Sequence, residues 1–346
     1  MKVIVDGIIY SLQRHGGITV YFNELLSRLV QTKEDTELFT FNPLLPVVAS
    51  LAGGKLKNVK PRIFERYRPC DLTVAGSTGA VFHSSYYRLP SVKSIATVVT
   101  VHDFIYERIA RGARRWVHSS QKFAAIRAAQ AVICVSQSTL NDLHEFVGVR
   151  QNQSVHIIHN GASDIFKPLL DVAVLKPFVL FVGQRGGYKN FRALLRCLPL
   201  LPGLEVRCVG GGWFTSNEFV GVDETVRNRI HHVGFVTDYQ LNTLYNRALC
   251  LVYPSSYEGF GIPVVEAMKA GCPVVSFDCA AIREIGGSAL VVADSLEPAD
   301  MRDAILQSVD NFQRPRLIKQ GLCVSVNFSW DVTHSKTLAV YKNVAQ

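Results

Sequence analysis

The chain has 346 residues, more than one typical domain and enough for two of ordinary size. Hydrophobic residues make up 48% and charged residues 19%, which excludes a disordered chain, and no apolar run approaches the ~20 residues of a membrane helix. The net charge of +9 raises nucleic acid as a partner, but the Lys and Arg residues are scattered and no aromatic-interleaved basic motif or zinc finger occurs, so an anionic membrane surface or a diphosphate-bearing substrate fits better.

The first residues, MKVIVDG, enter a strand-like run at 2–5 with no leader-like apolar stretch before it. RHGGITVYFNELL follows, with Gly16 and Gly17 at the mouth of a helix whose Ile18, Phe22, Leu25, Leu26 and Leu29 share one face. Further strand-like runs fall at 38–41, 98–101, 131–135 and 155–158, and His102 and Asp103 stand directly behind the run at 98–101. RGARRWVHSSQKF (111–123) is the densest cationic run and holds a Trp; it reads as a solvated helix face or as one facing a membrane. VSQST (135–139) reads as a strand end and a helix start, with Ser136 or Ser138 as cap. NGASDIFKPLLDVAVLKP is broken by Pro168 and Pro177 and reads as the linker. Beyond it, strand-like runs at 178–182, 206–209, 249–253, 274–277 and 289–293 alternate again with amphipathic helices.

This alternation predicts an α/β chain of two doubly wound, Rossmann-like domains, 1–168 and 169–329, with ligands at the carboxyl ends of parallel strands. The eight cysteines show no Cys-x-x-Cys spacing and several lie inside apolar strands, so they read as core residues of a cytoplasmic protein. No Asp-x-Asp motif or His/Cys cluster offers metal-ligand spacing, and neither metal nor cofactor is expected.

Two segments carry candidate chemistry. In FVLFVGQRGGYKNFRALLRCL the strand at 178–182 ends at Gly183, and a glycine-rich loop with Arg185 and Lys189 leads into a helix. Two cations there suit a diphosphate, although the loop is neither GxxxxGK[ST] nor GxGxxG. In EGFGIPVVE, Glu258 and Glu266 bracket a turn with free N–H groups around Gly259 and Gly261, before a helix at 264–270 with Pro263 as its first position. Neither glutamate is placed for phosphate, so hydroxyl groups are the expected partners. Together the two segments suit a sugar nucleotide.

YPSSYEGFGIPVVEAMKAGCPVV (253–275) resembles the Glu-x7-Glu signature of the retaining family-4 glycosyltransferases (GT4), which have the GT-B fold. VSQST, HNGASDIFKP and HHVGFVTDYQLNTLYNRA fit the same family, and the tail FSWDVTHSKTLAVYKNVAQ resembles its closing helix, which crosses back to the first domain. By that likeness residues 330–346 rejoin domain 1–168, with Leu338, Tyr341 and Ala345 as the apolar face, and the first domain takes the acceptor across a cleft from the donor domain. The resemblance implies that Arg185 and Lys189 grip the donor diphosphate, although the two extra glycines of QRGGYKN make the placement of Arg185 less secure. It implies that His102 holds a donor-sugar hydroxyl, that Gly16 and Gly17 form the loop approaching donor and acceptor, and that Gly183 opens the phosphate loop. N–H groups of Phe260, Gly261 and Ile262 then meet the phosphate, the main chain near Phe235 meets the base, Glu258 orients sugar hydroxyls and Glu266 binds ribose.

The function implied is retaining, metal-independent transfer of a hexose or deoxyhexose from a nucleotide diphosphate sugar to a growing, lipid-linked surface glycan. GDP-mannose or a GDP-deoxyhexose is the favoured donor, as in bacterial O-antigen or capsule (lipopolysaccharide) mannosyltransferases, with the enzyme cytoplasmic or at the inner face of the membrane. A sugar-nucleotide epimerase, a phosphorylase-like enzyme and an inactive GT-B binding module are the alternatives. The first wants more carboxylates in the first domain, the second a pyridoxal-lysine context and the third a broken phosphate site. An NAD-dependent Rossmann enzyme is excluded, since VDGIIYS after the first strand is no GxGxxG.

Overall fold

The computed structural model describes residues 1–13, 15–41, 55–72, 79–170 and 176–346, and of 113 and 114 the backbone alone. Part of the expected linker, 171–175, lies outside the described residues. Two compact units result: Met1–Asn160 with Trp330–Gln346, and Gly161–Ser329.

The first unit holds strands β1 (Lys2–Asp6), β2 (Asp35–Thr40), β3 (Lys55–Asn58), β4 (Ala80–Ser84), β5 (Ala96–Val101), β6 (Ala131–Cys134) and β7 (Ser154–Ile157). They form one parallel sheet in the order β3-β2-β1-β4-β5-β6-β7. β1, β4, β5 and β6 are buried along nearly their whole length, as a sheet covered on both faces requires. β3, KLKN, is the exposed edge, and its charge discourages further pairing. Helix Gly17–Gln31 buries Tyr21, Phe22, Leu25, Leu26 and Leu29.

The strand order reverses between β1 and β4, and the crevice that such a reversal opens is filled here by protein. Arg88 is fully buried there, with Nη1 2.9 Å from Asp6 Oδ1 and Nη2 2.5 Å from Glu65 Oε1.

Helix Trp330–Val344 completes the first unit through a face that keeps the expected Tyr341 but not Leu338 or Ala345. Leu338 is only half-buried and Ala345 lies past the helix end; the buried positions are Trp330, Thr333, His334, Thr337, Val340 and Tyr341. Hydrogen bonds dock it as much as apolar area. Tyr341 Oη lies 2.5 Å from His83 Nδ1, His83 Nε2 lies 2.9 Å from Thr100 Oγ1, and Thr333 donates to the His159 carbonyl at 2.7 Å.

The second unit holds β8 (Phe178–Val182), β9 (Glu205–Val209), β10 (Ile230–Gly234), β11 (Leu251–Tyr253), β12 (Val274–Ser276) and β13 (Leu290–Val292), in the parallel order β10-β9-β8-β11-β12-β13. Val179, Phe181, Leu194, Cys208, Val252, Met301 and Ile305 are among its core. Here the strand order reverses between β8 and β11.

The boundary between the units falls at 160/161 and not at the expected 168/169. Phe166 is buried with its ring edge-on to Tyr245, and Lys269 donates to the Ala162 carbonyl and pairs with Asp164. Lys167 and Leu169 donate their N–H groups to Asn242 and Asn246. Those contacts make 161–169 part of the second unit.

Candidate active site

The crevice between β8 and β11 is built by the loops that follow them. Gly183 leaves β8 at φ +115°, a conformation suited to glycine, and its N–H returns to the Val209 carbonyl. The loop closes in a short 3-10 turn, Gly187–Lys189, and Asn190 in the left-handed region donates its amide to the Pro254 carbonyl at 2.9 Å. Ser256 N–H meets the Tyr188 carbonyl at 2.9 Å, so the loop after β8 is stitched to the loop after β11.

The stitching sets Lys189 Nζ 2.5 Å from Glu258 Oε1 and 3.0 Å from Tyr253 Oη. Burial and the neighbouring Glu258 carboxylate push the Tyr253 hydroxyl well above its ordinary range, so it stays protonated and bonds Glu258 as well. A cation, a carboxylate and a phenol thus meet at one point, with the start of helix Ile262–Lys269 on the same loop. Gly261 caps that helix at φ +108°, and a Cβ there would meet Ile282 Cδ1 at 2.4 Å. Pro263 is the second helical residue and not the first, and it brings no N–H to the helix start. Phe260 is itself buried, edge-on to Phe328.

Glu266 stands in the second turn of this helix, not the first. Tyr245 Oη donates to it at 3.0 Å, and burial, reinforced by Asp238, holds its carboxyl up at about 7 despite that bond.

Arg185 and Lys189, expected as a pair of cations, go to different partners. The Arg185 guanidinium bonds Glu218 Oε1 (2.5 Å) and the carbonyls of Gly210 (2.9 Å), Gly212 (2.8 Å) and Trp213 (3.1 Å), and lies over the Phe214 ring. Gly186 and Gly187 set it one short turn before Lys189, facing the loop after β9. Gly210 N–H reaches the Gly234 carbonyl at 3.4 Å, next to the exposed Phe235.

In the first unit His102 follows β5 and is buried against the edges of Tyr21 and Phe22. Burial, with Lys122 nearby, pushes its imidazole down to about 3, so it is neutral, and its Nε2 has no hydrogen-bond partner among the described residues. A neutral imidazole with an unused ring nitrogen can hold a hydroxyl and cannot act as a cation. Gly17 is the first residue of its helix; a side chain at Gly16 would run into the Gln13 amide.

Residues 15–164 match the family model described as Glycosyltransferase Family 4, and residues 176–311 the one described as Glycosyl transferases group 1. The chain is a glycosyltransferase. This glycosyltransferase is 28% identical over 385 aligned positions to O-antigen chain mannosyltransferase B of Escherichia coli, covering 99% of this chain and 100% of that one. Its fold is shared with sucrose-phosphate synthase from Thermosynechococcus elongatus (TM-score 0.82, 17% identity, 99% of both chains). Anabaena HepE in complex with UDP-glucose shares it too (TM-score 0.76, 15% identity, 99% of this chain and 100% of that one). These likenesses make the architecture GT-B.

Six residues around this site were not legible in the transferase's sequence. Tyr253 and Tyr245 read as strand and helix core, yet each presents its hydroxyl to one of the two signature glutamates. The glycines 210–212 lie in a loop with no motif, and Glu218 closes a capping box with Thr215 at the short 3-10 helix Ser216–Phe219. The available signal was position: Tyr253 ends its strand and Gly210 follows one, where parallel sheets place ligands.

Proposed function

We propose that this glycosyltransferase moves a hexose or deoxyhexose from a nucleotide diphosphate sugar to a growing, lipid-linked glycan, with retention of configuration and without a metal. GDP-mannose or a GDP-deoxyhexose is the donor we favour, in keeping with the mannosyltransferase that matches the whole chain. The observation that carries this reading is the Lys189–Tyr253–Glu258 cluster at the strand-order reversal, beside the start of helix Ile262–Lys269.

In this scheme the diphosphate lies along the helix start, bonded by main-chain N–H groups and by Lys189. Glu258 orients hydroxyls of the sugar, and Glu266 receives those of ribose. The bond between the anomeric carbon and the phosphate oxygen opens through an oxocarbenium-like state, while the acceptor hydroxyl adds from the same face. Its proton passes to the departing phosphate oxygen, the nearest base on that face. Negative charge grows on the diphosphate as the bond breaks, so a preorganised cation there acts most strongly in the transition state. His102, neutral, holds a sugar hydroxyl, and Gly16 and Gly17 let the backbone approach the substrates. Arg185 supports the site by fixing the neighbouring loop.

Lys189→Ala is expected to lower transfer by about 10²–10³-fold, with some loss of melting temperature as well, since the lysine side chain is only 12% exposed and the change removes the cation paired with Glu258. Transfer assays run beside thermal unfolding check this. Near-normal transfer with normal melting would overturn the role of Lys189 and most of the scheme. Because protein groups take the charge, turnover is also expected to survive excess EDTA. Activity lost to the chelator and restored by Mg²⁺ or Mn²⁺ would refute the metal-free step.

A further inference from the structure

One side chain near this site has no place in the scheme above. Trp213, in the loop after β9, is 83% exposed, and yet its backbone is firmly held. Arg185 bonds the carbonyls of Gly210, Gly212 and Trp213. Gly210, Gly211 and Gly212 all lie in the left-handed region, and a Cβ on Gly211 would meet the Gly183 carbonyl oxygen at 2.7 Å. Glu218 takes Arg185 on one side and accepts from Thr215 N–H and Oγ1 on the other. The indole rests on His232, with ring centroids 5.2 Å apart, and His232 in turn packs on Phe214, beneath Arg185.

A loop free to relax would turn an indole inward, because apolar area in water is unfavourable. This loop is pinned by its main chain and keeps the ring outward. On the adjacent strand end Phe235 is 73% exposed, and the Gly210 N–H to Gly234 carbonyl bond joins the two loops. Two outward aromatic rings therefore stand at the carboxyl ends of β9 and β10, one strand over from the loop that holds Lys189.

We propose that Trp213 is the platform on which the donor base stacks, that Phe235 borders it, and that the pair selects a purine over a pyrimidine. This rests on the nucleotide-sugar reading given above and names the base it takes. Stacking tolerates any base, since each has a π face, but its strength grows with the area covered. A two-ring purine covers both rings of an indole, whereas a pyrimidine covers about one. Arg185 is then a positioning residue, acting through the carbonyls of 210–213 on the plane of the indole.

The test is calorimetric titration of GDP, ADP, UDP, CDP and free guanosine into wild type, Trp213→Ala, Trp213→Phe, Arg185→Lys and Lys189→Ala, with melting curves for each. Purine diphosphates are expected to bind wild type more tightly than pyrimidine ones. Trp213→Ala should lose about 5–100-fold in GDP affinity and clearly less in UDP affinity, with Trp213→Phe between. Arg185→Lys should weaken guanosine as well as GDP, which loss of a diphosphate contact alone would not do. An unchanged GDP/UDP ratio in Trp213→Ala, or a wild type that prefers UDP, overturns the platform. In that case diphosphate binding that disappears in Lys189→Ala still leaves the transferase reading standing. If no nucleoside diphosphate binds wild type, both readings fall.

Discussion

Glu266 joins the chemistry of the site to a measurable titration. Its ordinary carboxyl value is 4.5, and burial holds it up at about 7 in the folded protein. Between those values the native state keeps a proton that the unfolded chain has released, so wild-type stability falls as pH rises from about 4.5 to 7. Glu266→Gln has no such proton, and its melting temperature relative to wild type should climb across that window. The same ionisation governs hydroxyl binding, because a carboxylate accepts more strongly than a neutral acid. Nucleotide affinity of wild type should rise through about pH 7, by about fivefold, and the Gln variant should show no such rise. Parallel pH profiles for the two proteins would refute the assignment. At this scale the sequence reading found the residues better than their partners. Glu258, Glu266 and Lys189 stood out by spacing, but whether Arg185 faces an anion or a loop depends on the turn made by Gly186 and Gly187. Pairings such as Tyr245 with Glu266 join residues 21 apart in the chain and follow from packing alone.

At the scale of elements, the helix Ile262–Lys269 depends on its cap. Gly261 holds a conformation that costs other residues ~1–3 kcal/mol, and a methyl group there would press on Ile282. Gly261→Ala should therefore destabilise the second unit by about 2–3 kcal/mol and weaken nucleotide binding, since the donors of 260–262 would shift. Melting at the wild-type temperature with normal nucleotide affinity would show that the cap tolerates a side chain. Most strands were legible because a sheet covered on both faces needs continuous apolar runs, as in β1, β5 and β8. The strands β3, β4 and β10 were not among the runs read from sequence, each for a physical reason. KLKN is an edge strand with charged faces, AVFHS hides a histidine and a serine in the core, and IHHVG turns alternate residues to solvent. The closing helix was expected from the family likeness, but its docking face includes Thr333, His334 and Thr337, which an apolar-stripe argument passes over.

For the molecule as a whole, the +9 charge and the helix Gly112–Ala128 bear on where it works. Trp116 on that helix is 72% exposed, and Arg111, Arg115 and Val117 around it are exposed as well. No helix among the described residues is long and apolar enough to cross a membrane. We expect sedimentation with vesicles rich in anionic lipid, weakening as salt screens the attraction, and reduced by Trp116→Ala. Equal recovery with zwitterionic vesicles would count against an electrostatic contact.

The return of helix Trp330–Val344 to the first unit has a consequence for the order of assembly during synthesis. The first unit is made of two pieces of chain with the whole second unit between them, whereas the second unit is continuous. As the chain leaves the ribosome, the first sheet emerges early but waits for its last helix, with His83 and Thr100 lacking their cover. Domains fold as units when their residues are present. The second unit, although translated later, is therefore the one able to reach its complete form first, and the first unit is finished only when residues 330–346 arrive.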